Sequence, residues 1–183
     1  MQLTKLFKAE DLLVNFSPGD KWGAIAQMMD HLCEGGRIPA EAAEAAREAV
    51  LARERSMSTG MEHGIAIPHG AVDGIDEIAA CMGIISAEEG LSFESIDGGA
   101  TRIIVVLVIP RDQKLLHIRT LADVARALGK SSVFTERVQG EMCLRRGFEL
   151  EAVAGSCLGV NHVGLRRVDR VQPIHLILLE VAV

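Results

Sequence analysis

The sequence predicts an α/β layered domain, and three observations carry that prediction. Ile103-Ile104-Val105-Val106-Leu107-Val108-Ile109 is continuously apolar and mostly β-branched, then closes at Pro110, the pattern of a central strand covered on both faces. Two other segments place apolar residues at helical spacing, one after Asp20 and one over Leu115–Leu128, as amphipathic helices do. Shorter β-rich runs alternate with such helices, the order that builds a sheet layered with helices.

Taken in order, Leu12–Phe16 reads as a short strand closed by the turn residues Ser17-Pro18-Gly19-Asp20. Asp20 caps a helix whose apolar face collects Trp22, Ile25, Ala26, Met29, Leu32 and Cys33, and Gly35-Gly36 ends it. The Met28-Met29 pair reads as core packing. A second helix begins near Pro39, a favoured first-turn residue. Its stripe of Ala42, Ala46, Ala49 and Val50 runs on to Arg53, which aims a guanidinium along the buried side, where a charge needs a partner. Ser58–Gly70 is glycine-rich around Ile65-Ala66-Ile67, and Ile78–Ser86 follows as a strand. After the 115–128 helix, Ser131 or Ser132 caps another through Met142, and a weaker helical stretch covers Phe148–Val153. The segment beyond Gly155 is glycine-rich, then basic, then apolar from Ile174 to Val183, and its role is unknown.

Composition narrows the functional classes. The chain has 183 residues, 49% hydrophobic, with one Trp and no Tyr, so the core is built from aliphatic side chains and Met. A net charge of −6 argues against a nucleic-acid surface, which needs clustered Lys and Arg. Cys33, Cys81, Cys143 and Cys157 form no C-x-x-C pair and read as reduced thiols of a cytoplasmic protein. Residues 1–5 begin no signal peptide, and the longest apolar runs are too short to span a bilayer.

The most informative segment is Gly64-Ile65-Ala66-Ile67-Pro68-His69-Gly70. It predicts an imidazole on a stiff, exposed turn, with proline fixing the backbone before it and glycine leaving space for a ligand or partner after it. Histidine is nucleophilic near neutral pH without costly deprotonation. Taken alone, such a residue reads first as a solvated or hydrogen-bonded surface histidine. Arg53, beside Glu54 and sixteen residues upstream, and His117, forty-eight downstream in the first turn of a helix, change that balance. A phosphoryl group carries about −1.5 to −2 charge. A guanidinium, imidazole N–H groups and a helix start suit its oxygens, and Thr59 offers a hydroxyl.

Arg53-Glu54, Ser58-Thr59-Gly60 and Gly64 through Gly70 together resemble the active-site signature of the fructose/mannitol-type enzyme IIA domains of the phosphotransferase system, and of their nitrogen-regulatory relatives. Gly90-Leu91-Ser92-Phe93, Asp97-Gly98 and His117-Ile118-x-x-Leu121-Ala122 match later parts of the pattern. The resemblance covers residues 3–128 closely and loosely extends to 155. It implies a single layered domain, a central mixed β-sheet flanked by helices, over residues 1–155, with 156–183 as a C-terminal extension. It also implies a cytoplasmic phosphotransferase component without metal or organic cofactor. In it, His69 takes phosphate from the phosphohistidine protein HPr and hands it to a IIB domain or uses it as a regulatory signal on a target protein. Arg53, His117 and Thr59 would hold the phosphoryl group, and the nitrogen-regulatory branch is slightly favoured. Three departures stand out: His117-Ile118 replaces His-Leu, Met61-Glu62-His63 brings a charge and a second imidazole near His69, and the tail exceeds the usual end.

Two other readings compete. A metal centre would use His63, His69 and His117, although a cation there would be repelled by Arg53. A binding module without transfer chemistry would act through partner contacts alone. His31, His162 and His175 read as structural or solvated.

Overall fold

The computed structural model of the protein describes residues 6–87 and 89–129, together with the backbone but not the side chain of Lys114. The expected helices beyond residue 130, the boundary at 155, the tail, Cys143, Cys157, His162 and His175 lie outside the described residues.

Among the described residues, five strands, β1 (Leu12–Phe16), β2 (Ile65–Ala66), β3 (His69–Val72), β4 (Ala79–Ile85) and β5 (Ile103–Pro110), form one sheet with three α-helices, α1 (Lys21–Glu34), α2 (Ala40–Ser56) and α3 (Lys114–Gly129). The order is β1-β4-β5-β2, with β3 also on β5. The sheet is mixed: β1 runs parallel to β4, β4 antiparallel to β5, and β2 and β3 parallel to β5.

Every residue of β5 is buried, as a central strand with both faces covered requires. Alternation along it separates two cores. Ile104, Val106 and Val108 pack with Ile25, Met28, Met29, Leu32, Ala42, Ala46 and Val50 of α1 and α2. Ile103, Val105, Leu107 and Ile109 pack with Val124 and Leu128 of α3 and with Leu6 and Phe7. The described residues thus form a three-layer sandwich with α1 and α2 on one side and α3 on the other.

Asp20 caps α1 as predicted, its Oδ1 accepting the Gly23 N–H at 2.7 Å, and both Met28 and Met29 are fully buried. Trp22 departs from the expected face. It is exposed, and its indole lies 4.8 Å from the Lys21 ammonium, so a cation–π contact at the helix start replaces core burial. No helix among the described residues is long and apolar enough to cross a membrane.

Candidate functional site

His69 is the first residue of β3, opposite Leu107 of β5, rather than part of an exposed turn. Ile65 stands opposite Ile103 and His69 opposite Leu107, the same register on either side of Ile67-Pro68. β2 and β3 are therefore one strand line interrupted where proline has no N–H to give. The Pro68 carbonyl still accepts from Leu107 N at 3.0 Å and keeps the line in place. Gly70 and Val72 are buried towards α2, so by strand alternation the half-buried His69 ring faces the α3 side.

The glycine after His69 does different work from that expected. A Cβ on Gly70 would stand 2.7 Å from Val50 N and 2.9 Å from the Ala49 carbonyl carbon. The space is already occupied by the backbone of α2, and Gly70 exists to let helix and strand touch.

His69 Nδ1 lies 2.8 Å from the Ile67 carbonyl oxygen. That oxygen can only accept, so Nδ1 carries the proton and Nε2 keeps its lone pair. The ring is held edge-to-face with His117, centroids 5.4 Å apart and planes at 78°. His117 is the fourth residue of α3, and the preceding loop is fastened to the far end of β3. Arg111 pairs with Asp73 at 3.1 Å and donates to the Ala71 carbonyl at 3.1 Å, while the Gln113 side chain donates to the Asp76 carbonyl at 3.2 Å. The helix that carries one histidine is thereby registered on the strand that carries the other.

Arg53, in the last turn of α2, is half-buried and donates through Nη1 to the Met57 carbonyl at 2.7 Å. Its charge reaches both rings. Burial, foremost, and then the Arg53 guanidinium and the second imidazole hold the His69 pKa below its ordinary value, against the opposing pull of the Ile67 carbonyl. His117 is lowered by burial and next by Arg53. The direction for His117 matches its place at a helix start, but the causes are burial and a guanidinium.

The charge that enters the core from α2 is not Arg53 but its neighbour. Ala42, Ala46 and Val50 are buried at four-residue intervals, and the next position in that row is Glu54, 2% exposed. Its oxygens accept the Thr59 N–H at 3.1 and 3.3 Å and the Thr59 hydroxyl at 2.5 Å, with the Lys21 ammonium 3.7 Å away. Lys21 also pairs with Glu94 at 2.8 Å. The Thr59 hydroxyl, expected to serve a phosphate, thus has its proton committed to Glu54. The four-residue spacing was the signal for Glu54, and it is readable in the sequence once the row is followed one residue past Arg53.

Glu62 and His63 are exposed on the preceding turn, where His63 takes a positive φ of 64° and its main-chain N–H donates to Asp97 at 3.1 Å. Among the described residues, no three His, Cys, Asp or Glu side chains gather as metal ligands, so the three-histidine centre is not assembled. What is assembled is a neutral imidazole with a free Nε2 lone pair, beside a guanidinium and a second imidazole. Such a site suits an electrophile that arrives with negative charge.

Comparison with known proteins gives the family of the chain. A nitrogen regulatory protein from Klebsiella oxytoca is 33% identical over 109 residues, covering 60% of this chain and 66% of that protein. The chain spans between about half and two-thirds of the length of the Klebsiella, Shigella and Escherichia coli nitrogen regulatory proteins it matches. Among solved structures, nitrogen regulatory protein IIA-Ntr from Neisseria meningitidis superposes with a TM-score of 0.64 at 20% identity, over 75% of this chain and 90% of that one. Enzyme IIAMTL, in its complex with phosphorylated enzyme IIBMTL from Escherichia coli, gives 0.57 at 21%, over 72% and 87%. These structures share the fold. Residues 5–137 match the family model described as phosphoenolpyruvate-dependent sugar phosphotransferase system, EIIA 2, and the chain belongs to that family.

Proposed function

We propose that the protein is a phosphoryl carrier in which Nε2 of His69 forms a transient bond to phosphorus. The observation that carries this reading is the Nδ1–H bond to the Ile67 carbonyl, which leaves Nε2 as the nucleophilic nitrogen. The incoming group is donated by a phosphohistidine protein of the HPr type. The donor's P–N bond breaks, a P–Nε2 bond forms, and the Nδ1 proton stays where it is. The His69 ring becomes cationic as the bond forms, and its Nδ1–H bond becomes charge-assisted, hence stronger. Transfer onward reverses these steps on an acceptor.

Arg53 supplies fixed positive charge and a planar fork for the phosphoryl oxygens. Its present bond, to the Met57 carbonyl, is to an exposed loop residue, so the guanidinium has room to re-aim. His117 starts neutral and offers one N–H. Arrival of a dianion then raises its affinity for a proton, which stabilises the phosphorylated state.

A protein partner is supported by the surroundings. Met57, Leu115 and Ile118 are 69%, 72% and 67% exposed beside Arg53 and His117, an apolar border that suits docking of another protein more than a free sugar. The acceptor is a IIB domain or a regulatory target. The regulatory role is favoured by the relative from Klebsiella oxytoca and its name.

The test is incubation of the full chain with phosphoenolpyruvate, enzyme I and HPr. One acid-labile phosphate should appear on the peptide containing Pro68-His69 and be absent from His69→Ala. Stoichiometric label on the alanine variant would overturn the assignment.

A further inference from the structure

The Glu54 carboxylate is buried at the end of α2 and is joined to His69 by a series of hydrogen bonds through Thr59 and Ile67. Glu54 accepts both the N–H and the hydroxyl of Thr59. The Thr59 carbonyl accepts the Ile67 N–H at 3.2 Å. The Ile67 carbonyl accepts the His69 Nδ1–H at 2.8 Å.

Residues 59–61 and 65–67 form a small antiparallel ladder that transmits this hold. Met61 N donates to the Ile65 carbonyl at 2.7 Å, and Gly60 bridges Ala66. The ladder is pressed onto the 93–95 segment. Ser58 donates its hydroxyl proton to the Phe93 carbonyl, and Gly60 lies so close that a Cβ would meet the Phe93 carbonyl oxygen at 2.7 Å. The Ile67 N–H and C=O flank one α-carbon, and Pro68 restricts Ile67 before it to an extended ψ. Fixing the N–H therefore fixes the direction of the carbonyl that chooses the His69 tautomer. In the same turn, two residues before Thr59, the Met57 carbonyl accepts from Arg53 at 2.7 Å.

We propose that Glu54 is a positioning residue for phosphoryl transfer, which holds His69 in its Nδ1–H tautomer through Thr59 and Ile67 and holds Arg53 through the 57–59 turn. The proposal rests on the phosphocarrier reading for its consequence but not for its geometry. A carboxylate suits the post because Thr59 presents two donors, and a carboxylate accepts both without turning a donor of its own towards them. Glutamine at 54 presents an NH₂ group to one of those donors. Burial sharpens the effect, since water does not substitute for the lost acceptor.

The test compares the full-length wild type with Glu54→Gln, Thr59→Val and Thr59→Ser, using ¹⁵N-NMR of the imidazoles and single-turnover transfer from phosphorylated HPr. In the wild type, His69 should show a protonated Nδ1 and an unprotonated Nε2. In Glu54→Gln and Thr59→Val, the Nε2–H tautomer should become measurably populated. The maximal transfer rate should fall about tenfold, with the HPr concentration for half-maximal rate changed less than about twofold. Thr59→Ser should restore both properties. A merely structural carboxylate would lower thermal stability and leave the tautomer and the maximal rate of the folded fraction unchanged, and that result overturns the proposal. A tautomer shift with an undiminished rate overturns the positioning role as well. If Glu54→Gln does not fold, the Thr59 pair decides alone. A wild type that accepts no phosphate would refute the phosphocarrier reading, while the tautomer measurements would still decide whether Glu54 governs His69.

Discussion

At the scale of single residues the chemistry turns on which protonation state His69 holds when a donor arrives. A protonated imidazole has no lone pair to offer, and burial, Arg53 and His117 together lower its pKa. The rate of phosphate acceptance should therefore stay level as pH falls through about 6.5, the ordinary histidine value, and decline only below it. A single-turnover pH series checks this, and an inflection above about 7 would contradict it. The sign for stability runs the same way. As pH falls below the ordinary value, the unfolded chain takes up protons before the folded one does, so both histidines withdraw stability from the acid side and none from the alkaline side. For Arg53 the prediction concerns shape rather than charge. Arg53→Lys keeps the cation but loses the planar fork, and transfer should drop by about tenfold or more, measured against unchanged folding by circular dichroism.

At the scale of elements, α2 and β3 meet with almost no tolerance. Gly70 sits against the Val50 and Ala49 backbone, which have no rotamer with which to retreat. Gly70→Ala should push β3 off the helix, at about 1–3 kcal/mol by analogy with overpacked cores. It should also disturb the His69–His117 contact, visible as changed imidazole shifts in the folded protein. The elements differed in how far their residues announced them. β5 was legible because seven apolar residues in a row admit little but a covered strand, and α1 because Asp20 marks its start. Pro68-His69-Gly70 reads as a turn in the sequence, since a short segment around proline carries no sign of the register that continues beyond it. The sequence places Arg53 too deep for a similar reason: a stripe gives a direction around the helix, and one residue of rotation exchanges a guanidinium for a carboxylate.

At the scale of the whole molecule, the two cores share β5, and the faces alternate residue by residue. Leu107 belongs to the α3 core and is also the partner of His69 across the ladder. Leu107→Ala should cost about 2–5 kcal/mol, as large-to-small changes in packed cores do, read from urea unfolding. The candidate site was legible as a set, Arg53, His69 and His117, because each carries chemistry that the others complete. How they meet was not, because strand order is decided by partners far apart in the chain. Leu12 pairs with Met82, and Ile65 with Ile103.

That arrangement has a consequence for how the protein is made. β2, β3 and β4 all precede β5 in the chain and all pair with it, and among the described strands only the β1–β4 pairing is complete without it. A ribosome adds residues in order at about 5–20 per second. Throughout the interval before residues 103–110 leave the exit tunnel, the strand that carries His69 has its main chain made and its β5 partner missing. The histidine is synthesised early and becomes a site late, when one strand arrives and three earlier ones close upon it together.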